Sequence, residues 1–320
     1  MPAQVRAFFV SLLQVFLLTA AMIALVFAAI GPDPTHYFAG SLLQLELIKN
    51  TSGPRIILVG GSNVSFGLDA ELMQRTLSVP VINDGLHAGL GIVPLRELQE
   101  YLRSGDIVII SLEYTMFSSE SIMEGDRAFL SDWIEYSPHR IRFLSDPWWQ
   151  APSLFATMLQ RKVNRTVNTY LFGGSLDEER SVFAGTKYNA NGDFVGHLNE
   201  PSMARRKIPD VPYSVWHVQE EIFIFLEHFH QTAREKGAQV YFAAPASRKT
   251  NCENTGEASM ANFFKTFEDR SSIPVLTPLE EVCLPDKYFF DTAYHLNADG
   301  RRLRTERLIG NWMKLTASAK

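Results

Sequence analysis

The stretch Arg55–Leu68, RIILVGGSNVSFGL, ends an apolar run in two glycines, a serine and an asparagine. Such a run is typical of a buried β-strand, and the polar residues would lie at its carboxyl end. In open parallel sheets, reactive groups gather outside those carboxyl ends. Gly60 and Gly61 would allow a tight turn that leaves the Ser62 hydroxyl uncovered. Ser62 is therefore a candidate nucleophile, although Gly-Ser-Asn is also a common turn sequence.

A second group of reactive residues lies near the carboxyl terminus. In YFFDTAYHLNADGRRL, residues 288–303, Asp291 precedes His295 by four positions, just ahead of a predicted helix. A serine hydroxyl is a poor nucleophile at neutral pH and needs an adjacent base. Imidazole can accept the proton, and a carboxylate can fix the imidazole tautomer and stabilise the imidazolium. These residues predict a Ser62–His295–Asp291 triad; the competing interpretation is an aspartate cap beside a surface histidine.

Together these segments resemble the blocks of the SGNH, or GDSL-like, hydrolase superfamily. Gly60–Asn63 resembles the first block and implies Ser62 as nucleophile, while Asp291 and His295 resemble the last block. VINDGLHAGLG, residues 81–91, resembles the second block. The resemblance implies an oxyanion hole that combines the Ser62 N–H with an amide near Gly85, Ala88 or Gly89. Such donors face charge that appears only in the transition state.

The third block departs from the family pattern. GDIVIISLEYTMF, residues 105–117, has Glu113 and Tyr114 where the family has Gly-x-Asn-Asp, so the usual side-chain oxyanion donor is missing. An ionised carboxylate cannot donate a hydrogen bond. We therefore interpret Asn63, Glu113 and Tyr114 as substrate-binding or orienting residues, and Arg248 as a candidate partner of Glu113.

The amino terminus predicts a membrane anchor. From Ala7 to Ile30 there is no charged residue, and about 20 apolar residues suffice to cross the hydrocarbon core. Arg6 would stay in the cytoplasm, which puts the main domain on the periplasmic side of the inner membrane. A cleavable signal peptide is the alternative, but its apolar region is usually only about 7–15 residues long. We expect residues 1–34 to form an anchor.

The anchor, the Glu-Tyr pair and YHLNADG together resemble the membrane-tethered branch of the superfamily. That branch includes proteins that assist D-alanylation of teichoic acids and acetylation of exported polysaccharides. The resemblance implies an acylated donor and a glycan as substrates, and a membrane-bound O-acyltransferase is a candidate partner. The expected activity is O-acyl, most simply acetyl, transfer to or removal from a glycan through an acyl-serine. The alternative is a non-catalytic, membrane-tethered assembly or binding subunit of a polysaccharide-modification complex.

The elements that must position these residues alternate along the chain. Five short apolar runs predict strands, namely Arg55–Val59, Val79–Ile82, Asp106–Leu112, Ala238–Ala243 and Ile273–Leu276. Helical patterns between them predict a doubly wound, three-layer α/β domain over residues 35–320, with a five-stranded parallel sheet of the flavodoxin-like SGNH type. An inserted segment at about 115–213 breaks this rhythm. It predicts either a substrate-facing wall, with Trp148 and other aromatics stacking on sugars, or a structural subdomain.

Composition restricts the remaining possibilities. The 320 residues carry a net charge of −5 and no run of Lys and Arg, which argues against a general nucleic-acid binder. No zinc-site spacing occurs, and no metal or organic cofactor is implied. Cys252 and Cys283, the two cysteines, could form a disulfide in an oxidising compartment or remain free thiols.

Overall fold

The computed structural model describes residues 3–29, 31–172, 181–201 and 218–318. Helix α1 comprises Ala3–Ala29, and its stretch Ala3–Leu25 is long and apolar enough to span a membrane, with a mean hydropathy of 2.4. This stretch is not buried against the described domain. An apolar helix of spanning length is therefore confirmed, whereas its orientation in a membrane stays a prediction.

Four strands form the central sheet: β1 (Ile56–Gly60), β2 (Val81–Gly85), β3 (Ile107–Ser111) and β4 (Gln239–Phe242). They are parallel and lie in the order β2-β1-β3-β4. A second, two-stranded parallel sheet pairs β5 (Ser247–Arg248) with β6 (Cys283–Leu284). The α/β class and the parallel sheet predicted from the sequence are confirmed.

The predicted fifth strand, Ile273–Leu276, is reduced to a single parallel bridge between Phe242 and Val275. The Phe242 N–H donates to the Pro274 carbonyl at 2.9 Å, and the Leu276 N–H donates to the Phe242 carbonyl at 2.7 Å. Pro274 has no N–H, so it can accept from a neighbouring strand but cannot donate to one. The regular sheet therefore has four strands in the described chain.

The described helices after α1 are α2 (Gly40–Asn50), α3 (Ser62–Ser65), α4 (Ala70–Leu77), α5 (Val93–Tyr101), α6 (Arg127–Tyr136), α7 (Pro147–Phe172), α8 (Glu220–Glu235), α9 (Lys249–Thr255), α10 (Glu257–Arg270) and α11 (Ala298–Ser318). Asp69 begins α4 by accepting a hydrogen bond from the Leu72 N–H at 2.9 Å. Aspartate is one of the residues preferred at the N-cap of a helix.

Side chains of β1 point alternately to two apolar cores. Ile57 and Val59 pack with residues of α2, α5, α8 and α10, whereas Ile56 and Leu58 pack with residues of α4 and α11. Because helices cover both faces, a parallel strand needs apolar residues on each side, which explains its continuous apolar sequence. The central strand that precedes Ser62 is thus held by two layers of helices.

The inserted segment has two different parts. Helices α6 and α7 pack in an apolar cluster that also includes Phe38 and Leu86, and in it Trp133 is buried and lies against the Arg140 guanidinium at 4.3 Å. By contrast, Trp148 and Trp149 at the start of α7 are 90% and 84% exposed. Trp133 is therefore a core residue, while the other two aromatics face outward. Residues 173–180 and 202–217 of this segment lie outside the described residues.

Residues 181–201 join the insertion to the sheet through Asp193. Its carboxylate accepts from the Ala70 N–H at 2.9 Å and the Asn83 side-chain amide at 2.9 Å. Arg301 of α11 makes an ion pair with the same carboxylate at 3.1 Å. Because Asp193 and its partner Arg301 are both buried, the pair holds β2, α4 and α11 together.

Cys252 and Cys283 form a disulfide bond, with 6.2 Å between their Cα atoms. The bond joins α9 to β6, and so fixes the small sheet to the helix that follows β5. Of the two possibilities that the sequence leaves open, the structure has the disulfide. Such bonds are typical of oxidising compartments.

A Cys252→Ser/Cys283→Ser variant should lower the free energy of unfolding by about 3 kcal/mol, because the bond closes a loop of 31 residues in the unfolded chain. Urea unfolding of the full chain in detergent micelles, followed by circular dichroism, measures this change. Adding a reductant should lower the midpoint of the wild type and leave that of the variant unchanged. Equal midpoints for the oxidised wild type and the variant would contradict a stabilising role.

Candidate active site

Ser62 is the first residue of α3 and lies at the carboxyl edge of the central sheet, two residues after the end of β1. A Cβ atom on Gly60 would come within 2.1 Å of the Ser111 carbonyl oxygen, and one on Gly61 within 3.0 Å of the Ala88 backbone nitrogen. Position 60 therefore requires glycine, because a side chain there would collide with the backbone of β3, whereas a side chain at position 61 would need the Ala88 loop to shift by a few tenths of an ångström.

Glu113 lies beside the Ser62 hydroxyl. It is the second residue after β3, and its Oε1 atom accepts from Ser62 Oγ at 3.2 Å and from the Asn63 N–H at 3.4 Å. The side chain is buried, with 7% of the residue exposed. A carboxyl group thus lies against the nucleophile candidate, on the strand end where the family pattern has an asparagine.

His295 and Asp291 form a hydrogen-bonded pair, with 2.7 Å between Nδ1 and Oδ1. The His295 N–H also donates to Thr292 Oγ1 at 2.9 Å, which closes the loop that carries both side chains. The carboxylate therefore holds the ring by Nδ1, which leaves Nε2 as the nitrogen that can exchange a proton with a reactant.

The His295 ring stacks on Phe66, with 4.0 Å between ring centroids and an interplanar angle of 7°. Phe66 is the residue at the end of α3, so this contact places His295 against the helix that begins at Ser62. His295 also interacts electrostatically with Glu113. The carboxyl-terminal loop and the Ser62 turn therefore meet at the same edge of the sheet.

The resting hydrogen bond of Ser62 goes to Glu113 and not to His295. Among the described residues, no hydrogen bond joins Ser62 Oγ to the imidazole. Hydrogen bonds between catalytic groups often form only when a substrate is bound. The absence of a Ser62–His295 hydrogen bond in the resting structure therefore does not exclude His295 from the site. Glu113 is the side chain that contacts Ser62 and also lies close enough to His295 to interact with it electrostatically.

The three predicted oxyanion amides differ in their hydrogen bonding. The Gly85 N–H donates to Asn83 Oδ1 at 3.0 Å, and the Gly89 N–H donates to His87 Nδ1 at 3.0 Å. The Ala88 N–H, beside Gly61, has no acceptor among the described residues, and neither does the Ser62 N–H. Ala88 and Ser62 therefore fit the predicted oxyanion role better than Gly85 and Gly89 do.

Asn63 is fully buried and holds the turn that carries Ser62 to β3. Its side-chain amide donates to Ser111 Oγ at 2.9 Å, and its backbone carbonyl accepts from the Arg304 guanidinium at 2.7 Å. Arg304 of α11 also donates to Ser111 Oγ at 2.8 Å. Asn63, Ser111 and Arg304 thus form one hydrogen-bonded group that links the Ser62 turn to β3 and α11, and an orienting role for Asn63 stays a prediction.

Two of the other predicted site residues make contacts elsewhere. Tyr114 is buried, and its hydroxyl donates to the Pro245 carbonyl at 2.9 Å. The predicted pairing of Glu113 with Arg248 is wrong, because Arg248 forms an ion pair with Asp286 at 2.6 Å. Arg248 starts α9 beside the second sheet, so it braces that sheet rather than the Glu113 carboxyl.

Sequence reasoning missed Arg304, Phe66 and His87. Arg304 belongs to the sequence RRLRTER, which is typical of a solvated helix surface. Its side chain is nevertheless buried against the turn that carries Ser62. A signal was available for Phe66, since an aromatic residue follows the Gly-Ser-Asn turn within one helical turn. His87 lies near His295 and stacks on Phe129 at 3.8 Å.

Burial sets the protonation of these groups. Burial raises the pKa of Glu113, and this effect exceeds the opposing attraction of His295 and the hydrogen bonds from Ser62 and Asn63. Burial, with a further contribution from His295, lowers the pKa of His87 to about 4, so His87 is neutral at pH 7. Compared with an exposed glutamate, Glu113 therefore keeps its proton to a higher pH.

Tyr37 connects this site to the segment that follows α1. Its hydroxyl donates to the Leu86 carbonyl at 2.8 Å and lies 2.9 Å from Ser65 Oγ. Ser65 belongs to α3, and Leu86 belongs to the loop that carries Ala88. The chain that leaves α1 thus contacts both halves of the candidate site.

The described residues contain no cluster of three or more His, Cys, Asp and Glu side chains with the geometry of a metal site. The arrangement that they do contain can activate a hydroxyl, hold an oxyanion and exchange a proton. Comparison with models of known protein families finds no match to this chain, and comparison with curated proteins finds none either.

Proposed function

We propose that this chain is an extracytoplasmic, membrane-anchored serine acyl-transfer enzyme of the SGNH type. The observation that carries the proposal is the meeting of three distant segments at one sheet edge: the Ser62 turn, Glu113 after β3, and the His295–Asp291 pair. The parallel bridge at Val275, next to β4, supports the finer assignment of a five-stranded, flavodoxin-like sheet.

In the proposed reaction the Ser62 hydroxyl rotates from Glu113 toward His295 when an ester is bound. Ser62 Oγ attacks the acyl carbon while His295 takes the hydroxyl proton and Asp291 stabilises the imidazolium. The ester C–O bond then breaks, and His295 gives the proton to the departing alcohol. An acyl-serine results. A glycan hydroxyl or water attacks it, again through His295, and releases Ser62.

We assign Glu113 the role of a neutral oxyanion donor. A protonated carboxyl can donate one hydrogen bond, as the missing asparagine amide would. An apolar site can keep a carboxylic acid neutral for this purpose. Burial raises the pKa of Glu113 and so favours that form, and its contact with Ser62 Oγ puts it next to the site where the substrate carbonyl oxygen would become negatively charged. The Ser62 and Ala88 N–H groups complete the proposed oxyanion hole.

The proposed substrates are an acylated donor and a cell-surface or exported glycan. A spanning α1 would hold the site beside a membrane, where a membrane-bound O-acyltransferase could supply the acyl group. Tethering raises the effective concentration of that second step without any new contact. Acetyl is the simplest acyl group that fits this scheme, and whether sugar or water accepts it depends on how well water is excluded.

One observation favours the alternative, a non-catalytic assembly or binding subunit. Ser62 donates to Glu113 in the resting structure, and an ionised Glu113 would hold the hydroxyl away from His295. In that case the Ser62 turn would be only structural, and the inserted segment would recruit a partner. The two proposals differ in the reactivity of Ser62 Oγ, which is activated in an enzyme and ordinary in an assembly subunit.

Reaction with a fluorophosphonate tests this difference directly. We expect one adduct for each full chain in detergent micelles at neutral pH, mapped to Ser62 by peptide mass spectrometry. An activated serine attacks phosphorus as it attacks an acyl carbon, whereas an ordinary surface serine does not. Ser62→Ala should abolish the adduct, and the surface control Ser104→Ala should keep it. An unmodified wild-type chain would refute the enzyme and support the assembly subunit.

A further inference from the structure

Helix α7 carries an exposed apolar side that the proposed chemistry does not use. Phe155, Val163 and Val167 are 42%, 43% and 41% exposed, and their spacing of eight and four places them on one side of the helix. Trp148 lies seven residues before Phe155, close to the same side, and adjoins Trp149. Both tryptophans are almost fully exposed. The apolar side therefore runs along most of a helix about 39 Å long.

The opposite side of α7 is firmly attached to the domain. Leu154 and Met158 are buried in the cluster shared with α6. Lys162 is also buried, and its ammonium lies 2.9 Å from the Glu135 carboxylate of α6. These contacts fix the rotation of α7 against α6 and so direct its apolar side away from α6.

The chain leaves α1 next to this helix. The Tyr136 hydroxyl, at the end of α6, donates to the Asp33 carbonyl at 2.7 Å, and the Asp33 charge acts on Arg165 of α7. Asp33 follows Ala29, the last residue of α1, by four positions. Four residues span at most about 14 Å. If α1 crosses a membrane, the membrane surface therefore lies near the carboxyl-terminal part of α7, around Arg165.

We propose that the apolar side of α7 lies in the interface of the membrane that α1 spans, so that lipid contacts the domain at a second place. The inference rests on the proposed membrane location and not on the proposed chemistry. Tryptophan prefers the depth of the lipid headgroups, and an amphipathic helix buries its apolar side at that depth. A lipid surface explains why Trp148 and Trp149 are exposed, and it is consistent with α1 ending close to α7.

Quenching by brominated lipids tests this contact. The full chain is reconstituted in vesicles of phosphatidylcholine and phosphatidylglycerol, with or without bromine on the acyl chains. The emission of Trp148 and Trp149 is the difference between the wild type and a Trp148→Phe/Trp149→Phe variant, in which phenylalanine preserves the apolar surface. We expect bromine near the headgroups to lower this difference emission by about twofold, and bromine near the chain ends to lower it less.

Trp312 provides the matched control. It is partly buried against the sheet core, so the difference emission between the wild type and Trp312→Phe should not change with bromination. Equal Trp148/Trp149 emission in brominated and ordinary vesicles would overturn the proposal, as expected if a protein or a glycan covers α7 instead. Release of the chain by alkaline carbonate would overturn it by removing the anchor. Bromine quenching without fluorophosphonate labelling of Ser62 would leave this inference standing and refute only the enzyme.

Discussion

A His295→Ala variant should lose about 10⁴-fold or more in kcat for hydrolysis of 4-nitrophenyl acetate. Without the imidazole, the proposed base for the Ser62 proton is missing, and the hydroxyl stays a weak nucleophile. Release of 4-nitrophenol by the full chain in detergent micelles measures the change. His230→Ala is the matched control, since His230 lies on α8 and pairs with Ser272. Similar rates for His295→Ala and the wild type would eliminate His295 as the base.

An Asp291→Asn variant tests whether Asp291 sets the tautomer of His295 or only holds the ring in place. The Asp291 carboxylate accepts from His295 Nδ1, whereas an amide can present N–H to that nitrogen and select the wrong tautomer. We expect a loss comparable with that of His295→Ala, although the loop keeps its hydrogen bond from the His295 N–H to Thr292. A small effect would mean that Asp291 is only a structural partner of the ring.

Glu113→Ala should lower kcat by about 10²–10³-fold, the usual effect of removing one oxyanion donor. Glu113→Gln should keep kcat within about threefold at neutral pH, because an amide and a neutral carboxyl each supply a donor beside one acceptor. The same nitrophenyl ester assay measures both variants. If Glu113→Gln falls as far as Glu113→Ala, the carboxylate is needed as a base and the donor role is wrong.

The pH dependence follows from the direction of the Glu113 pKa. Burial raises that pKa, so the donor form persists above the range of an exposed glutamate and is lost as the pH rises through the shifted value. The wild type should therefore lose activity on that alkaline side, whereas Glu113→Gln should not. Folding also favours the protonated form, so Glu113 lowers stability once the pH exceeds its unfolded pKa. Glu113→Gln should accordingly unfold at a higher temperature at pH 8.

The strands that carry the site were predictable because their sequences are locally consistent. Arg55–Val59 and Asp106–Leu112 predict β1 and β3 to within one residue, since buried parallel strands need apolar side chains on both faces. Ile273–Leu276 was apolar enough for a strand, but Pro274 limits its pairing to one bridge. A hydrophobic run thus indicates burial more reliably than it indicates regular pairing.

Long-range polar contacts were much less predictable. The sequence suggests no reason why Glu113 should contact Ser62 while Arg248 pairs with Asp286. Glu113 and Asp286 are both carboxylates, so the sequence does not show which of them Arg248 will contact. Only the packed fold determines which carboxylate lies close to Arg248. Arg304 illustrates the same limit, because a cation on an otherwise polar helix is normally solvated. Its burial depends on carbonyl and hydroxyl acceptors supplied by distant turns.

Tyr37 has a consequence for where a reaction could take place. It follows α1 by eight residues, a reach of at most about 28 Å. Its hydroxyl contacts Ser65 of α3 and Leu86 in the loop after β2, the two segments that would hold the reacting carbonyl. A spanning α1 would confine turnover to a thin zone along the lipid boundary. A lipid-borne donor would then reach the site by lateral diffusion, whereas a water-soluble glycan would have to approach the membrane surface.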